Sequence, residues 1–353
     1  MQFILAEILL WLVSLTSPLS LSKKSPQTSV SIARQSTGDA VTAPAATARI
    51  DPADVARISA LASLCLVSRQ LNDTATRHLY HHVHGQRWWL LARTLLARND
   101  LARVIRSIRI GFYWTGDEIG CPPEVAAYYK SQRKIYLDAL PEDARREAMS
   151  RLSEDELDTG SNTNIQANVL CSLCPNLETL GAIIGYFDVF RFSAPDSMPL
   201  LRKIALSHAD TELGIDLQNV AALFRAAPNI THAVFHMASA CSTLDGVSLP
   251  KLTSLEFQSS ALDAPLLVEI LSVSVNLEIL RYEMGGACVG YDQFGIQEAQ
   301  AAFLTHAPNL KSLSLEAGDN DNWDEDWDAA EAGEMGKVLE KHGVQFEFKP
   351  YVW

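Results

Sequence analysis

Residues 250–257 read PKLTSLEF, and this stretch decides the fold. Its apolar residues, Leu252, Leu255 and Phe257, end in the alternation of a short half-buried strand. The phrase Pro-x-Leu-x-x-Leu-x-Leu recurs along the chain. It runs through Pro175, Leu177 and Leu180, through Pro199, Leu201, Ile204 and Leu206, and through Pro228, Ile230, Ala233 and Phe235. It returns at Asn276, Leu277, Leu280 and Tyr282, and at Pro308, Leu310, Leu313 and Leu315. The first four prolines lie 24, 29 and 22 residues apart, and the next is 58 residues on, across two copies. Runs with helical spacing sit between copies, at 165–173, 217–227, 265–275 and 297–307. A strand–helix unit of this size cannot bury its apolar face alone, whereas stacked units share one continuous core. The expected fold class is α/β, with a strand-and-helix solenoid over residues 165–353. A doubly wound α/β domain gives the same alternation and is the competing architecture. No glycine-rich phosphate loop follows any of these strands, so nucleotide binding has no support.

If the leucines face the core, the residues between them form an ordered concave surface. That surface comprises Thr179, Gly181 and Ile183, then Lys203, Ala205 and Ser207, then His232, Val234 and His236. It continues with Ser254, Glu256 and Gln258, then Ile279, Arg281 and Glu283, then Ser312, Ser314 and Glu316. The candidate substrate-binding residues on it are Lys203, His232, His236, Glu256, Gln258, Arg281, Glu283, Ser314 and Glu316. No pair of carboxylates and no Ser/His pairing stands out there as catalytic. Glu256, Arg281 and Glu283 are placed to pair across strands.

Beyond the last copy lies an acidic loop, residues 318–328, with Trp323 and Trp327. Counted from Asp319, a calcium-binding EF-hand would need Gly at Asp324 and Glu at Ala330, so that motif fails. The loop reads either as a solvated turn or as a contact loop, with the tryptophans as anchors and the acids steering a basic partner. A last helix over 331–342 and a last strand over 344–348 close the array. Upstream, 88–99 reads as an amphipathic helix, 101–110 as a strand alternating through Val104, Ile108 and Ile110, and 122–155 as helical.

Residues 61–83 read LASLCLVSRQLNDTATRHLYHHV. Apolar residues at Leu61, Leu64, Cys65, Val67 and Leu71 have helical spacing and predict one buried stripe. A polar step at 72–76 and a short extended segment at 79–83 follow. Asp51 and Pro52 mark a helix start. His78, His81, His82 and His84 crowd together, but carboxylate and thiolate partners are absent nearby, and alternating exposure is the simpler account.

The pattern L-x-S-L-x-L-V-S-R-x-L followed by LYHHV resembles the second half of a fungal F-box domain, a helical module that binds a Skp-type adaptor. Residues 4–13, ILAEILLWLV, resemble the first half, with Ala6, Glu7, Ile8 and Leu9 matching and Leu5 where Pro is usual. Residues 16–50, rich in Ser, Thr, Ala and Pro, would then be a disordered insertion within the module at 1–85. The repeats likewise resemble the irregular leucine-rich repeats that follow fungal F-boxes, with residues 86–164 as linking helices and a first strand. The resemblance implies a substrate-recognition subunit of a Skp–cullin–F-box ubiquitin ligase. Ile8, Leu9, Leu12, Val13, Leu64, Val67 and Leu71 would dock on the adaptor, and the repeats would hold a protein substrate. It implies no bond chemistry by this chain, no cofactor, and a cytoplasmic or nuclear location. Two alternatives remain open: a repeat scaffold without a ligase, and a secreted α/β protein whose residues 1–15 are a signal peptide. Against the latter, Glu7 interrupts the apolar run and no Lys or Arg precedes it.

The totals agree. The formal net charge of −13 argues against nucleic acid as a partner, since phosphate contacts need a basic face. The apolar run at 1–15 falls short of the ~20 residues a membrane-spanning helix needs. Cys171 and Cys174 form a lone C-x-x-C without the second pair of a zinc site, and read as packing thiols near a helix end.

Overall fold

The computed structural model describes residues 52–85, 88–110, 122–142, 163–184, 193–208, 214–239, 246–285, 293–317 and 329–350, with a few isolated residues such as Phe190, Leu244 and Trp327. The described residues fall into two compact units, 52–80 and 81–350. Among them, no helix is long and apolar enough to cross a membrane.

The first unit holds helices α1 (Pro52–Val67) and α2 (Arg69–His81). The break falls at Ser68, whose Oγ accepts the Leu71 N–H at 3.2 Å and so caps α2. The Asn72 side chain donates to the Cys65 carbonyl at 2.9 Å, satisfying an end group of α1. The polar residues at 72–76 therefore lie inside α2 and do not interrupt it. The buried stripe also differs from expectation: it is Ile58, Ala62 and Cys65, spaced as one helical face, with Ala75 and Leu79 from α2. Leu64 and Leu71 are about 40% exposed, Leu66 57% and Val67 69%.

The second unit is a mixed α/β structure built on a nine-stranded parallel sheet. Its strands are β1 (His82–Gly85), β2 (Ser107–Ile110), β3 (Thr179–Ile184), β4 (Lys203–His208), β6 (His232–His236), β8 (Ser254–Ser260), β9 (Ile279–Met284), β10 (Ser312–Glu316) and β11 (Gln345–Lys349). They lie in the sheet in chain order. A small second pair, β5 (Ile215–Asp216) and β7 (Ala238–Ser239), sits beside β4 and β6 in the sequence. The helices are α3 (Trp88–Ala97), α4 (Asn99–Ala102), α5 (Pro123–Ala139), α6 (Thr163–Leu173), α7 (Ala221–Ala226), α8 (Ala264–Val273), α9 (Ile296–His306) and α10 (Ala329–Lys341). The four helical runs expected between copies are α6, α7 with the 3₁₀ turn before it, α8 and α9. The expected strand at 101–110 is shorter: Leu101 and Ala102 end α4, and only Ser107–Ile110 is extended. Because β2 pairs with β3, the sheet runs without a break across residue 165.

Strand order separates this architecture from the doubly wound one. A doubly wound sheet reverses direction at a switch point. Here every step goes the same way, and right-handed crossovers then place their helices on one face. Accordingly α8 packs on α9 and α9 on α10. The leucine positions supply the covered face. Leu180, Ile204, Leu206, Phe235, Leu255, Phe257, Leu280, Tyr282, Leu313 and Leu315 are all 2% exposed or less. The last position of the phrase carries an aromatic row, with Phe235 stacked on Phe257 at 5.6 Å and Tyr282 at 6.2 Å beyond it.

The Asn of Pro-Asn-Leu has its own task. Asn176 Nδ2 donates to the Arg103 carbonyl, Asn229 to Pro199, Asn276 to Pro250 and Asn309 to Val275, at 2.7–2.9 Å. Each asparagine thus ties its turn to the turn before the neighbouring strand. Replacing Asn229 with Ala should cost about 1 kcal/mol, the net worth of one such hydrogen bond. Leu280→Ala should cost ~2–5 kcal/mol as a core truncation. Urea denaturation of the two variants checks both magnitudes.

The open face of the sheet as the candidate functional site

The residues between the leucines occupy the other face in three registered rows. Pairing places Thr179, Lys203, His232, Ser254, Ile279 and Ser312 in the first. Arg109, Gly181, Ala205, Val234, Glu256, Arg281, Ser314 and Glu347 form the second. Ser207, His236 and Gln258 stand level in the third. Neighbouring strands are ~4.8 Å apart, so side chains within a row touch.

The face is not uniformly open. From β8 to β10 its residues are half-buried or exposed, including Glu256, Gln258, Arg281, Glu283, Ser314 and Glu316. On β3, β4 and β6 the expected surface residues Gly181, Ile183, Ala205, Ser207 and Val234 are buried. Small side chains are one reason. A Cβ on Gly181 would stand 3.3 Å from Cγ of Arg109, whose stem lies over the glycine. Lys203 and His236 are half-buried there, and His232 is exposed.

Ion pairs hold the open half. The Arg281 guanidinium lies 3.6 Å from Glu256, as the cross-strand spacing anticipates, while Glu283 instead accepts the Ser259 hydroxyl at 3.2 Å. Gln258 donates to Glu256 at 2.5 Å, and Lys349 reaches Glu316 at 3.4 Å. Exposed pairs of this kind contribute little to stability, and their effect is to order the surface.

One contact escaped the sequence reading. Ser207 Oγ stands 3.2 Å from Nδ1 of His236, its registered neighbour. The two residues are 29 apart in sequence, and only the register brings them together. Ser207 is fully buried, so this hydroxyl satisfies a half-buried imidazole and has no access to a substrate. Beside it the backbone turns sharply. Met237 has φ 63° and Ser259 φ 45°, both left-handed, at the ends of β6 and within β8. The Met237 N–H donates to the Gln258 carbonyl, and the Ala238 N–H to Ser260 Oγ, which holds this geometry. Arg109 was likewise missed as a surface residue, although its alternation with Ile108 and Ile110 carried the signal.

Trp327 is a correction. It is buried, donates its indole N–H to the Phe294 carbonyl at 3.1 Å, and packs against Tyr282, Phe294 and Phe348. It anchors the core and is no exposed contact residue. Trp323 and most of the acidic loop lie outside the described residues, as do Ile8, Leu9, Leu12 and Val13. Cys171 and Cys174 are buried free thiols, and burial pushes Cys174 up to about 12 and raises Cys171 as well. Both stay protonated at neutral pH, as packing thiols do. His81 Nδ1 and His82 Nε2 meet at 3.0 Å. Among the described residues, no three His, Cys, Asp or Glu side chains gather as a metal site would require.

Burial holds His236 below the ordinary imidazole value of 6.5, and burial with the nearby Lys203 charge does the same to His232. The unfolded chain therefore binds protons first as pH falls. Stability should be full above 6.5 and decline as pH drops through 6.5 toward the folded-state values. Urea midpoints between pH 7 and about 5.5 should show that decline, and His236→Gln should flatten it. Compared with known proteins, the chain matches no family model and no curated sequence.

Proposed function

We propose that this chain is the substrate-recognition subunit of a Skp–cullin–F-box ubiquitin ligase, with a leucine-rich-repeat-like solenoid presenting the substrate surface. The observation that carries the reading is the exposure of large apolar side chains on either side of the break between α1 and α2. Leu64, Leu66, Val67 and Leu71 stay in water although the same helices bury Ile58, Ala62 and Cys65. Large apolar side chains clustered at one helix junction favour a protein partner. Three of the four are residues that the F-box resemblance assigns to the adaptor.

The second unit supports the solenoid half of the reading. Its strands run in chain order, its turns repeat the asparagine bond, and its helices have one face of the sheet to cover. Repeat proteins built this way use the remaining face to bind partners. The chain itself would then hold the substrate while other subunits transfer ubiquitin.

The full chain should capture a purified Skp-type adaptor, and Leu64→Asp/Val67→Asp should weaken capture at least tenfold, about 1.4 kcal/mol. Both positions are exposed, so the variant should keep the parent's thermal midpoint. Failure of the parent to capture the adaptor would leave the plain repeat scaffold as the reading.

A further inference from the structure

β11 forms one edge of the main sheet, since no strand lies beyond it in the strand order. Its ladder to β10 fixes which backbone groups are used. The Gln345 N–H donates to the Lys311 carbonyl at 2.8 Å, and the Lys349 carbonyl accepts the Ala317 N–H at 2.9 Å. With Gln345 level with Ser312 and Lys349 with Glu316, residues Gln345, Glu347 and Lys349 turn both backbone groups toward β10. Phe346 and Phe348 alternate with them and turn theirs outward. Four backbone groups therefore line the outer edge, and among the described residues none is hydrogen-bonded. The side chains are unfinished at the same place. On the covered face Phe235, Phe257 and Tyr282 are 2% exposed or less, whereas Phe346 and Phe348 are only half-buried. A repeat array normally ends in a cap with a polar outer face, and this end lacks one.

We propose that this edge pairs with the same edge of a second copy of the chain, antiparallel about a two-fold axis at Glu347. The free groups are symmetric about that residue. Phe346 of one copy opposite Phe348 of the other exchanges both hydrogen bonds, so the four groups of each edge are satisfied by the four of its mate. The neighbouring registers both lose a bond. A shift toward the carboxyl end sets Phe346 opposite Pro350, which has no N–H to give. A shift the other way sets Phe348 opposite Val344, whose N–H is already given to the Leu339 carbonyl at 3.1 Å. The charges suit the same pairing. Glu347 meets its own image at the axis, but Lys349 stands 3.7 Å from it on each copy, so the seam carries two acids and two bases. Gln345 lies opposite Lys349 and adds no charge. Five residues a side make a small interface, so the association is expected in the micromolar range. The axis of an antiparallel pair stands perpendicular to the sheet, so the open faces of both copies look the same way and can engage one partner bivalently.

Sedimentation velocity of the full chain between about 1 and 100 μM should show a monomer–dimer equilibrium. Lys349→Glu leaves only carboxylates at the seam and should weaken dimerisation about tenfold, with little change in thermal midpoint because the ion pairs it breaks are exposed. Phe348→Pro and Phe348→Ala both remove the ring, but only Pro removes the outward N–H. Proline is tolerated on an edge strand where the N–H faces away from the ladder. The Pro variant should therefore dimerise about tenfold more weakly than the Ala variant. A monomer across the whole range would overturn the inference. So would equal association of the Pro and Ala variants, or an unchanged dimer in Lys349→Glu. Growth into larger assemblies would mean a head-to-tail contact with another edge and would overturn the two-fold pairing. The measurement involves no adaptor, so its outcome is independent of the ligase reading.

Discussion

Six carbonyl oxygens set the register of the main sheet. Those of Arg106, Glu178, Arg202, Thr231, Thr253 and Glu278 each accept two N–H groups from the residues that open the next strand, at 2.8–3.1 Å. A carbonyl has two lone pairs, and here both are used by adjacent amides of one neighbour. The strands cannot slide by one residue without breaking both bonds. Since a one-residue slip would also turn every leucine to the wrong face, the backbone bonds and the apolar pattern enforce the same register.

The two faces of the sheet then follow different physics. On the helix side, the aromatic row extends through Tyr282 into Phe294, Trp327 and Phe348, with ring centroids 4.8–6.4 Å apart. Each buried ring contributes ~2–3 kcal/mol of apolar burial, and a ring pair ~1 kcal/mol more. On the β8–β10 half of the other side, the energies are those of exposed ion pairs and are far smaller, whereas Ile183, Ala205 and Val234 on β3, β4 and β6 are buried as well. Stability therefore resides mainly on the helix face, and the β8–β10 half of the opposite face is the part free to vary in chemistry without unfolding the sheet.

The alternation of apolar residues in PKLTSLEF and its relatives is a local property, and so the strands and the helices after them were legible from sequence. Burial of the alternate face was not. Whether Ala205 or Glu256 meets water depends on side chains from other strands, as Arg109 over Gly181 illustrates. The Ser207–His236 contact and the asparagine bonds join residues 26 to 73 positions apart, and no local pattern announces them. Trp327 misled because an acidic neighbourhood suggested solvent. Its partners Tyr282 and Phe294 come from β9 and the segment that follows it, one strand earlier in the sheet. In α1 the apolar count was right but the face was not, because Leu64 and Val67 point away from the stripe that Ile58, Ala62 and Cys65 define.

The asparagine bonds and the double-accepting carbonyls all lie at the edge where strands begin. The edge where they end has no recurring counterpart among the described residues. The uneven spacing of 24, 29 and 22 residues between prolines is accommodated there. Lengthening a loop costs only ~0.6 kcal/mol per doubling. One rim of the sheet is therefore conservative and the other evolvable. Insertions that diversify what such a protein recognises would accumulate on the rim where His236, Ser260 and Met284 end their strands, and the scaffold's geometry would pass to descendants unaltered.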